Sequence, residues 1–489
     1  MNTQASSDRI DAYVWRISFV VLIGSIMSIL DTTIVNVALA TLSRELHASI
    51  SQIQWVVTGY MLSLAAVIPI TGWAARRFGA KRVYLLSLIL FTAGSALCGL
   101  ATSATELIVF RVLQGAGGGM ILPVGQLMMA EAAGPKRMGR VMSVVAVPMM
   151  LAPILGPTIG GLILQNVSWN WIFYVNVPIG VIAVLAALRF LPTVKPAPAD
   201  RLDFLGLALM ATGLPLLTYG LAEIGSLGTF ASSKVIVPIV LGLVLIAVFA
   251  VHALRISHPL LELRLYRRPT FSTASIAMFC LGGALFGAMI LLPLYWQDIR
   301  HESVIDTGLL TAPQGLGAAL VMPLSGKWTD RFGGGPLALF GVTLTTLLTI
   351  PYGFIGAHTS IPYLCVIMLV RGMGIGFSFM PAMTAAFASL KRSELSHATP
   401  QLNVLNRVGG SIGTALLAVI LQRALSGAHT LSGAASAYGT AFWASAAISA
   451  VAIIPCVILW RAEHRARREQ SGGGTADTVD SGTLAEAMA

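Results

Sequence analysis

Gly72-Trp73-Ala74-Ala75-Arg76-Arg77-Phe78-Gly79 and Gly326-Lys327-Trp328-Thr329-Asp330-Arg331-Phe332-Gly333 are two copies of one pattern, Gly-x-x-x-charged-Arg-Phe-Gly. Each follows an apolar run of spanning length. A second echo pairs Gln114-Gly115-Ala116-Gly117 with Arg371-Gly372-Met373-Gly374, again inside apolar runs. Short charged loops recurring at matching places imply a duplicated unit of six apolar helices. Such duplication in a membrane chain is a transporter signature, with the site between the halves near the midplane.

The composition around these motifs admits a membrane and little else. Of 489 residues, 56% are hydrophobic and only 10% charged, with a mean hydropathy of +0.81. A soluble surface needs about 25% charged residues, and a disordered chain needs low hydrophobicity. The net charge is +11, from 31 Lys and Arg against 20 Asp and Glu. In a soluble protein that would suggest nucleic acid. Here the basic residues cluster between apolar runs, so orientation in a bilayer is their use. Cys98, Cys280, Cys365 and Cys456 all lie within apolar runs, without the spacing of a disulfide framework or zinc site.

A spanning helix needs about 20 apolar residues because lipid offers the backbone no hydrogen-bond partner. Fourteen such runs are expected, at 17–39, 52–73, 83–101, 107–130, 141–164, 171–189, 204–222, 235–254, 271–297, 307–326, 337–356, 363–388, 405–422 and 437–460. The seventh and eighth are the least marked, and without them the count is twelve. With a cytoplasmic amino terminus, inside segments hold 24 Lys and Arg, outside segments hold four (Arg44, Lys234, Arg300 and Arg423), and Arg111, Arg371 and Arg407 fall within spans. That bias satisfies the positive-inside rule in every loop. Both termini are therefore expected in the cytoplasm. Ala38-Leu39-Ala40 resembles a signal-cleavage site, but the preceding apolar run is too long for a signal peptide, so the first helix is read as uncleaved.

The expected architecture is all-α and integral to the membrane. It has a cytoplasmic N-terminus (1–16), a six-helix bundle (17–190), two inserted helices (204–254), a second six-helix bundle (271–460) and a disordered cytoplasmic tail (471–489). The Pro-rich stretch from Leu191 to Asp203 reads as a semi-rigid connection.

These motifs resemble the major facilitator superfamily, and within it the fourteen-helix drug:proton antiporters of the EmrB/QacA type. The resemblance covers nearly the whole chain. Leu30-Asp31-Thr32-Thr33-Ile34-Val35-Asn36 looks like the family's first-helix motif, and Arg111-Val112-Leu113-Gln114-Gly115 like that of the fourth helix. Pro153-Ile154-Leu155-Gly156-Pro157-Thr158-Ile159-Gly160-Gly161 looks like the antiporter motif of helix five. Trp169 through Pro178, ending Asn176-Val177-Pro178, and Leu292 through Gln297 add to the match. The resemblance implies gating or motif roles for Asn36, Gly72, Arg77, Gly79, Gln114, Gly115, Pro153, Gly156, Pro157, Gly160, Gly161, Asp330, Arg331 and Arg407. It also implies that the helix-five motif seals against proton leak; helix packing alone is the other reading. The first loop departs from the pattern. Arg76 stands where an Asp is usual, and only the second copy keeps it, as Asp330, so one possible charge clasp between the halves is lost.

Asp31 alone among the acids lies deep in a span. A charge there costs roughly 3 kcal/mol or more, so it must face the interior and have a partner. Arg111, at the same depth, is the expected cation. The pair is either a proton-coupling site or a permanent tie between two helices. Trp55, Tyr60, Gln126, Phe286, Tyr295 and Gln297 are candidate lining for a substrate cavity, although each also fits ordinary packing. Gly409-Gly410-Ser411-Ile412-Gly413 matches the hydrolase Gly-x-Ser-x-Gly, but inside an apolar helix it lacks the strand-to-helix elbow that motif requires.

The expectation is a proton-driven exporter of hydrophobic or cationic small molecules in the inner (plasma) membrane: no enzyme, no cofactor, no metal and no nucleic acid. A dedicated exporter of one metabolite, antibiotic or lipid is the alternative, and an intramembrane enzyme a third reading. Lipophilic substrate, protons and the bilayer are the expected partners, with periplasmic adaptor proteins as further candidates.

Overall fold

The computed structural model describes residues 11–134, 137–193 and 201–472; the side chains of 144–145, 147–154 and 466–472 are not described. Residues 1–10 of the amino terminus, 194–200 of the Pro-rich connection and 473–489 of the tail lie outside this set.

Thirteen of the described helices are long and apolar enough to cross a membrane. In chain order, with one further helix at the fifth expected position, they are α1 (Ala12–Glu45), α2 (Ile50–Phe78), α3 (Ala80–Leu100), α4 (Ala104–Ala133), α5 (Met138–Asn166), α6 (Trp171–Phe190), α7 (Phe204–Leu227), α8 (Ser233–Arg255), α9 (Pro269–Asp298), α10 (Val304–Phe332), α11 (Gly334–Phe354), α12 (Ile361–Ala388), α13 (Arg392–Ser426) and α14 (Leu431–Arg465). All fourteen expected runs are helical, the seventh and eighth included. Helix is the only open segment that satisfies its own backbone in lipid.

Local chemistry sets the helix ends. Ser49, Ser103, Asp203 and Ser303 each accept a backbone N–H of the first turn, from Gln52, Glu106, Gly206 and Asp306. The two motif loops end alike: Gly79 at φ 88° and Gly333 at φ 102° turn the chain from α2 into α3 and from α10 into α11. Side chains rarely adopt those angles, which explains the final glycine of each copy.

Between helices, small residues rather than large ones make the closest crossings, as expected where lipid removes the hydrophobic drive for association. A Cβ on Gly94 would sit 2.8 Å from Gln114 Cα, joining α3 to α4. Gly409 meets the Phe279 carbonyl and Gly413 that of Gly283, joining α13 to α9. The glycines of the apparent hydrolase motif are therefore the packing face of a helix crossing, while Ile412 points outward.

Helices α1–α6 pack as one unit and α9–α14 as another, with α7 and α8 against each other. Helix α7 also touches both units, along α2 and along α13. There Trp55 of α2 stacks on Tyr219 of α7, centroids 5.7 Å apart. The opposite seam is formed by α5 against α10.

Both seams are closed at the end that carries the motif loops, and α5 stays on α10 as far as Gly161 and Ile305 near the other end. Gly72 abuts the Ser396 carbonyl, and Gly326 lies where a Cβ would come within 2.8 Å of Arg140 Cα. The first glycine of each copy is thus the point where its half crosses the other. Asp330 Oδ1 accepts from Gly139 N at 2.8 Å and its Oδ2 from Arg140 Nε at 3.1 Å. Arg76 Nη1 donates to Ser396 Oγ across the halves at 2.9 Å. Deeper in, Asn403 Nδ2 donates to Gln126 Oε1 at 2.8 Å.

Candidate coupling site

Asp31 sits in α1 with no exposed surface, and four helices supply its surroundings. Arg111 Nη1 of α4 stands 2.6 Å from Asp31 Oδ2. Gln114 Nε2, one turn further along α4, donates to Asp31 Oδ1 at 2.9 Å. Asn176 Nδ2 of α6 donates to the same oxygen at 2.9 Å, and also to Ser95 Oγ of α3 at 3.0 Å. The carboxylate therefore receives three donors, which is how a charge is kept in a low-dielectric interior.

The guanidinium is equally enclosed. Arg111 Nη1 also donates to Gln114 Oε1 at 2.8 Å, and its Nε to the Val56 carbonyl at 3.2 Å. Its Cζ lies 4.1 Å from the Tyr60 ring centroid and 5.8 Å from that of Phe173. Cation–π contact of this kind gains strength when desolvated. Positions 111 and 114, three apart on one helix face, let α4 present cation and amide to the same carboxylate.

Helix α5 covers the next turns of α1. Gly156 lies against the Thr33 side chain, and a Cβ on Gly160 would come within 3.3 Å of Ile34 Cγ2. A Cβ on Gly161 would lie 3.1 Å from Ile305 Cγ1 in the other half. The helix-five glycines thus pack one face on the Asp31 helix and another on α10. Pro157 is half-buried; Pro153 lies among the residues whose side chains are not described.

The remaining expected residues divide. Gly115 packs on α2, where a Cβ would lie 2.5 Å from the Tyr60 carbonyl oxygen. Arg77 is exposed, Asn36 is exposed, and Arg331 lies over its neighbour Phe332. Arg407 is half-buried in α13. Of the candidate lining, Tyr60 belongs to the Arg111 cage and Gln126 to the bond between the halves. Tyr295 is fully buried among Trp296 and Tyr438, its hydroxyl donating to the Gly356 carbonyl at 2.7 Å. Trp55 rests on Tyr219, Gln297 is exposed, and Phe286 keeps 39% of its surface beside Gly410. The six do not meet around one cavity.

Asn176 and Ser95 complete the network and were not among the expected site residues. The signal for Asn176 was present, as a polar residue before Val177-Pro178 in an otherwise apolar run; Ser95 had none. Among the described residues there is no cluster of metal-ligating side chains.

Residues 21–414 match the sequence model of the Major Facilitator Superfamily. The chain is 40% identical over 417 residues to a "multidrug resistance protein B homolog" of Mycobacterium tuberculosis, covering 85% of this chain and 77% of that protein. It is 31% identical to the "multidrug export protein EmrB" of Haemophilus influenzae, covering 81% and 78%. In structure it is similar to the human organic anion transporter MFSD10, at a TM-score of 0.62 and 14% identity, covering 91% and 99% of the two chains. The proton:xylose symporter XylE aligns at a TM-score of 0.59, again at 14% identity, covering 89% and 95%. With a duplicated six-helix architecture, inter-half glycine loops and this family match in agreement, the chain belongs to the Major Facilitator Superfamily and is a membrane transporter, not an enzyme.

Proposed function

We propose that the protein is a proton-coupled antiporter that exports hydrophobic or cationic small molecules by alternating access. The observation that supports it above others is the enclosed Asp31–Arg111–Gln114–Asn176 network. It is a titratable carboxylate in the membrane interior, held by donors from two other helices, on a helix that packs directly against the Gly156–Gly161 face. The printed names of the relatives, a multidrug resistance protein B homolog and a multidrug export protein, support the substrate class.

Protonation of Asp31 removes its attraction for Arg111 and leaves that cation without a counter-charge. The network then favours a different packing of α1, α4 and α6. Opening the halves at one end gives the carboxyl access to water, and deprotonation restores the pair. A proton moving down about 150 mV supplies roughly 3.4 kcal/mol, at about 2.3 kcal/mol per 100 mV. That sustains a gradient of a few hundredfold for a neutral substrate, at about 1.4 kcal/mol per decade.

The Lys and Arg bias supports an orientation with the motif loops and both termini in the cytoplasm, and the inner membrane is the location that suits a proton-driven exporter. On that orientation the contacts at Gly72, Gly326 and Asp330 close the protein toward the cytoplasm. The two bundles, 17–190 and 271–460, are the rocking units. The inserted helices at 204–254 ride on the α2–α13 side, with α7 against both bundles.

The test is proton release from energised inverted vesicles on addition of lipophilic cations and neutral drugs. Wild-type protein is expected to respond to several unrelated compounds, and Asp31→Asn to none while still present in the membrane. Undiminished proton-driven export by Asp31→Asn would overturn the reading.

A further inference from the structure

Arg407 stands apart from the other arginines that fall within the expected spans. Arg111 has Asp31, and Arg371 of α12 donates to Thr349 Oγ1 at 3.0 Å and to Gln314 Oε1 at 2.6 Å. Arg407, near the middle of α13, is half-buried. Among the described residues it makes neither a hydrogen bond nor an ion pair, and the titratable group that faces it is Tyr60 of α2. An arginine cannot shed its proton in a protein, so this charge persists within the membrane.

Its neighbours on α13 fix the direction in which it points. Asn403, one turn earlier, donates to Gln126 Oε1 in the other half at 2.8 Å. Residues four apart share a helix face, so Arg407 also faces the N-terminal bundle, where Tyr60 lies. On one flank Val404 and Val408 pack toward α7; on the other, Gly409 and Gly413 pack on α9. Ser411 and Thr414 continue the Arg407 face, and both are half-buried. Polar groups that face the interior of a membrane bundle mark a substrate or ion path.

The same face carries an apolar surface. Phe286 of α9 lies against Gly410, where an added Cβ would come within 2.8 Å of its Cδ2, and keeps 39% of its surface exposed. Positions 407 and 410, three apart, are neighbours on the helix surface. A cation and a part-exposed ring thus stand side by side between the halves. Asp31, the one acid deep in a span, does not offset that cation, because its own three donors enclose it. An apolar surface with a few placed polar groups is the make-up of a small-molecule site. A guanidinium matches a carboxylate in shape and charge.

We propose that Arg407 and Phe286 form a binding site for lipophilic organic anions, aromatic carboxylates in particular, with Arg407 selecting for the charge. The inference rests on the antiport reading above and adds a substrate class to it. At this wall a cationic compound meets a like charge, whereas an anion meets its partner. An anion leaving in exchange for one entering proton moves two elementary charges through the membrane potential, against one for a neutral compound.

The test is equilibrium binding of radiolabelled 2-naphthoate, and of its neutral amide 2-naphthamide, to the purified full-length protein at neutral pH. Wild type is expected to bind the acid about tenfold tighter than the amide, the weight of a charge-assisted hydrogen bond. Arg407→Gln should bind both alike, its retained amide binding showing that the fold persists. Arg407→Lys, the variant to rely on should Arg407→Gln not fold, keeps the charge without the fork and should prefer the acid by less than wild type. Phe286→Ala should weaken acid and amide by the same factor. Equal binding of acid and amide by wild type, binding of neither, or a preference undiminished by substitution of Arg407 would overturn the proposal. Proton release on addition of cations and neutral drugs judges the antiport reading separately. That response without a preference for the acid removes only this site, and the preference without proton release removes only the coupling.

Discussion

Asp330 of the C-terminal bundle holds Arg140 of the N-terminal bundle, with Oδ2 accepting from Nε at 3.1 Å. Asp330 is nearly enclosed and Arg140 one-fifth exposed, with side-chain exposures of 6% and 21%. The bond crosses the α5–α10 seam next to Gly326, where an added Cβ would come within 2.8 Å of Arg140 Cα. One carboxylate therefore reports whether this end of the transporter is shut.

Asp330→Asn keeps an acceptor for Gly139 N but removes the ionic bond to Arg140. A charge-assisted hydrogen bond contributes about 1.5–3 kcal/mol, so the closed state should lose roughly tenfold or more in population. Spin labels placed across the loop end should show a longer distance becoming dominant. An unchanged distance distribution would mean the clasp does not bias the states.

Gly72→Val and Gly326→Val put side chains where Ser396 and the Arg140 backbone already stand. Both variants should reach the membrane yet fail to close at this end, with transport lost and cysteines introduced into the motif loops permanently accessible. Gly427→Ala is the matching control, because nothing lies within 4 Å of an added Cβ there. It should transport normally.

Arg111→Leu leaves Asp31 buried without its cation, and breaking a buried pair this way costs about 3–5 kcal/mol. Adding Asp31→Asn removes the stranded charge. The double variant should therefore unfold at a higher temperature than Arg111→Leu alone. If the two substitutions were simply additive in thermal unfolding, the buried pair would not be coupled.

Tyr219→Ala removes the ring on which Trp55 stacks. An aromatic pair contributes about 0.5–1.5 kcal/mol beyond its buried area, so the contact of α7 with α2 should loosen while both bundles stay folded. Faster hydrogen exchange confined to α7 and the start of α2 is the expected result. Exchange unchanged there would leave α7 held by its other contacts alone.

Much of this was legible in the chain because lipid enforces simple rules. Apolar length marked the helices, basic loops marked orientation, and two copies of Gly-x-x-x-charged-Arg-Phe-Gly marked the duplication. Asp31 and Arg111 stood out because ionised groups are costly in hydrocarbon, so their pairing followed from depth alone. Tyr60 and Tyr295 show where such reasoning stops. Both are aromatic and lie near span ends or midplane, yet one cages a guanidinium and the other fills a bundle core. Nothing in their spacing distinguishes those places from a cavity wall.

By itself the sequence determined the helices, their number and the duplicated plan, because hydrophobicity, helical hydrogen bonding and glycine turns are local properties. Tertiary structure alone decided which groups meet. Asn176 reaches Asp31 across 145 positions, and Gly72 meets Ser396 across the two halves. It also decided that buried Arg111 meets a carboxylate while buried Arg371 meets the neutral acceptors Thr349 and Gln314. Such pairings depend on how far each helix is rotated and slid against its neighbours. That is fixed by close packing over many residues, and no single stretch of sequence carries it.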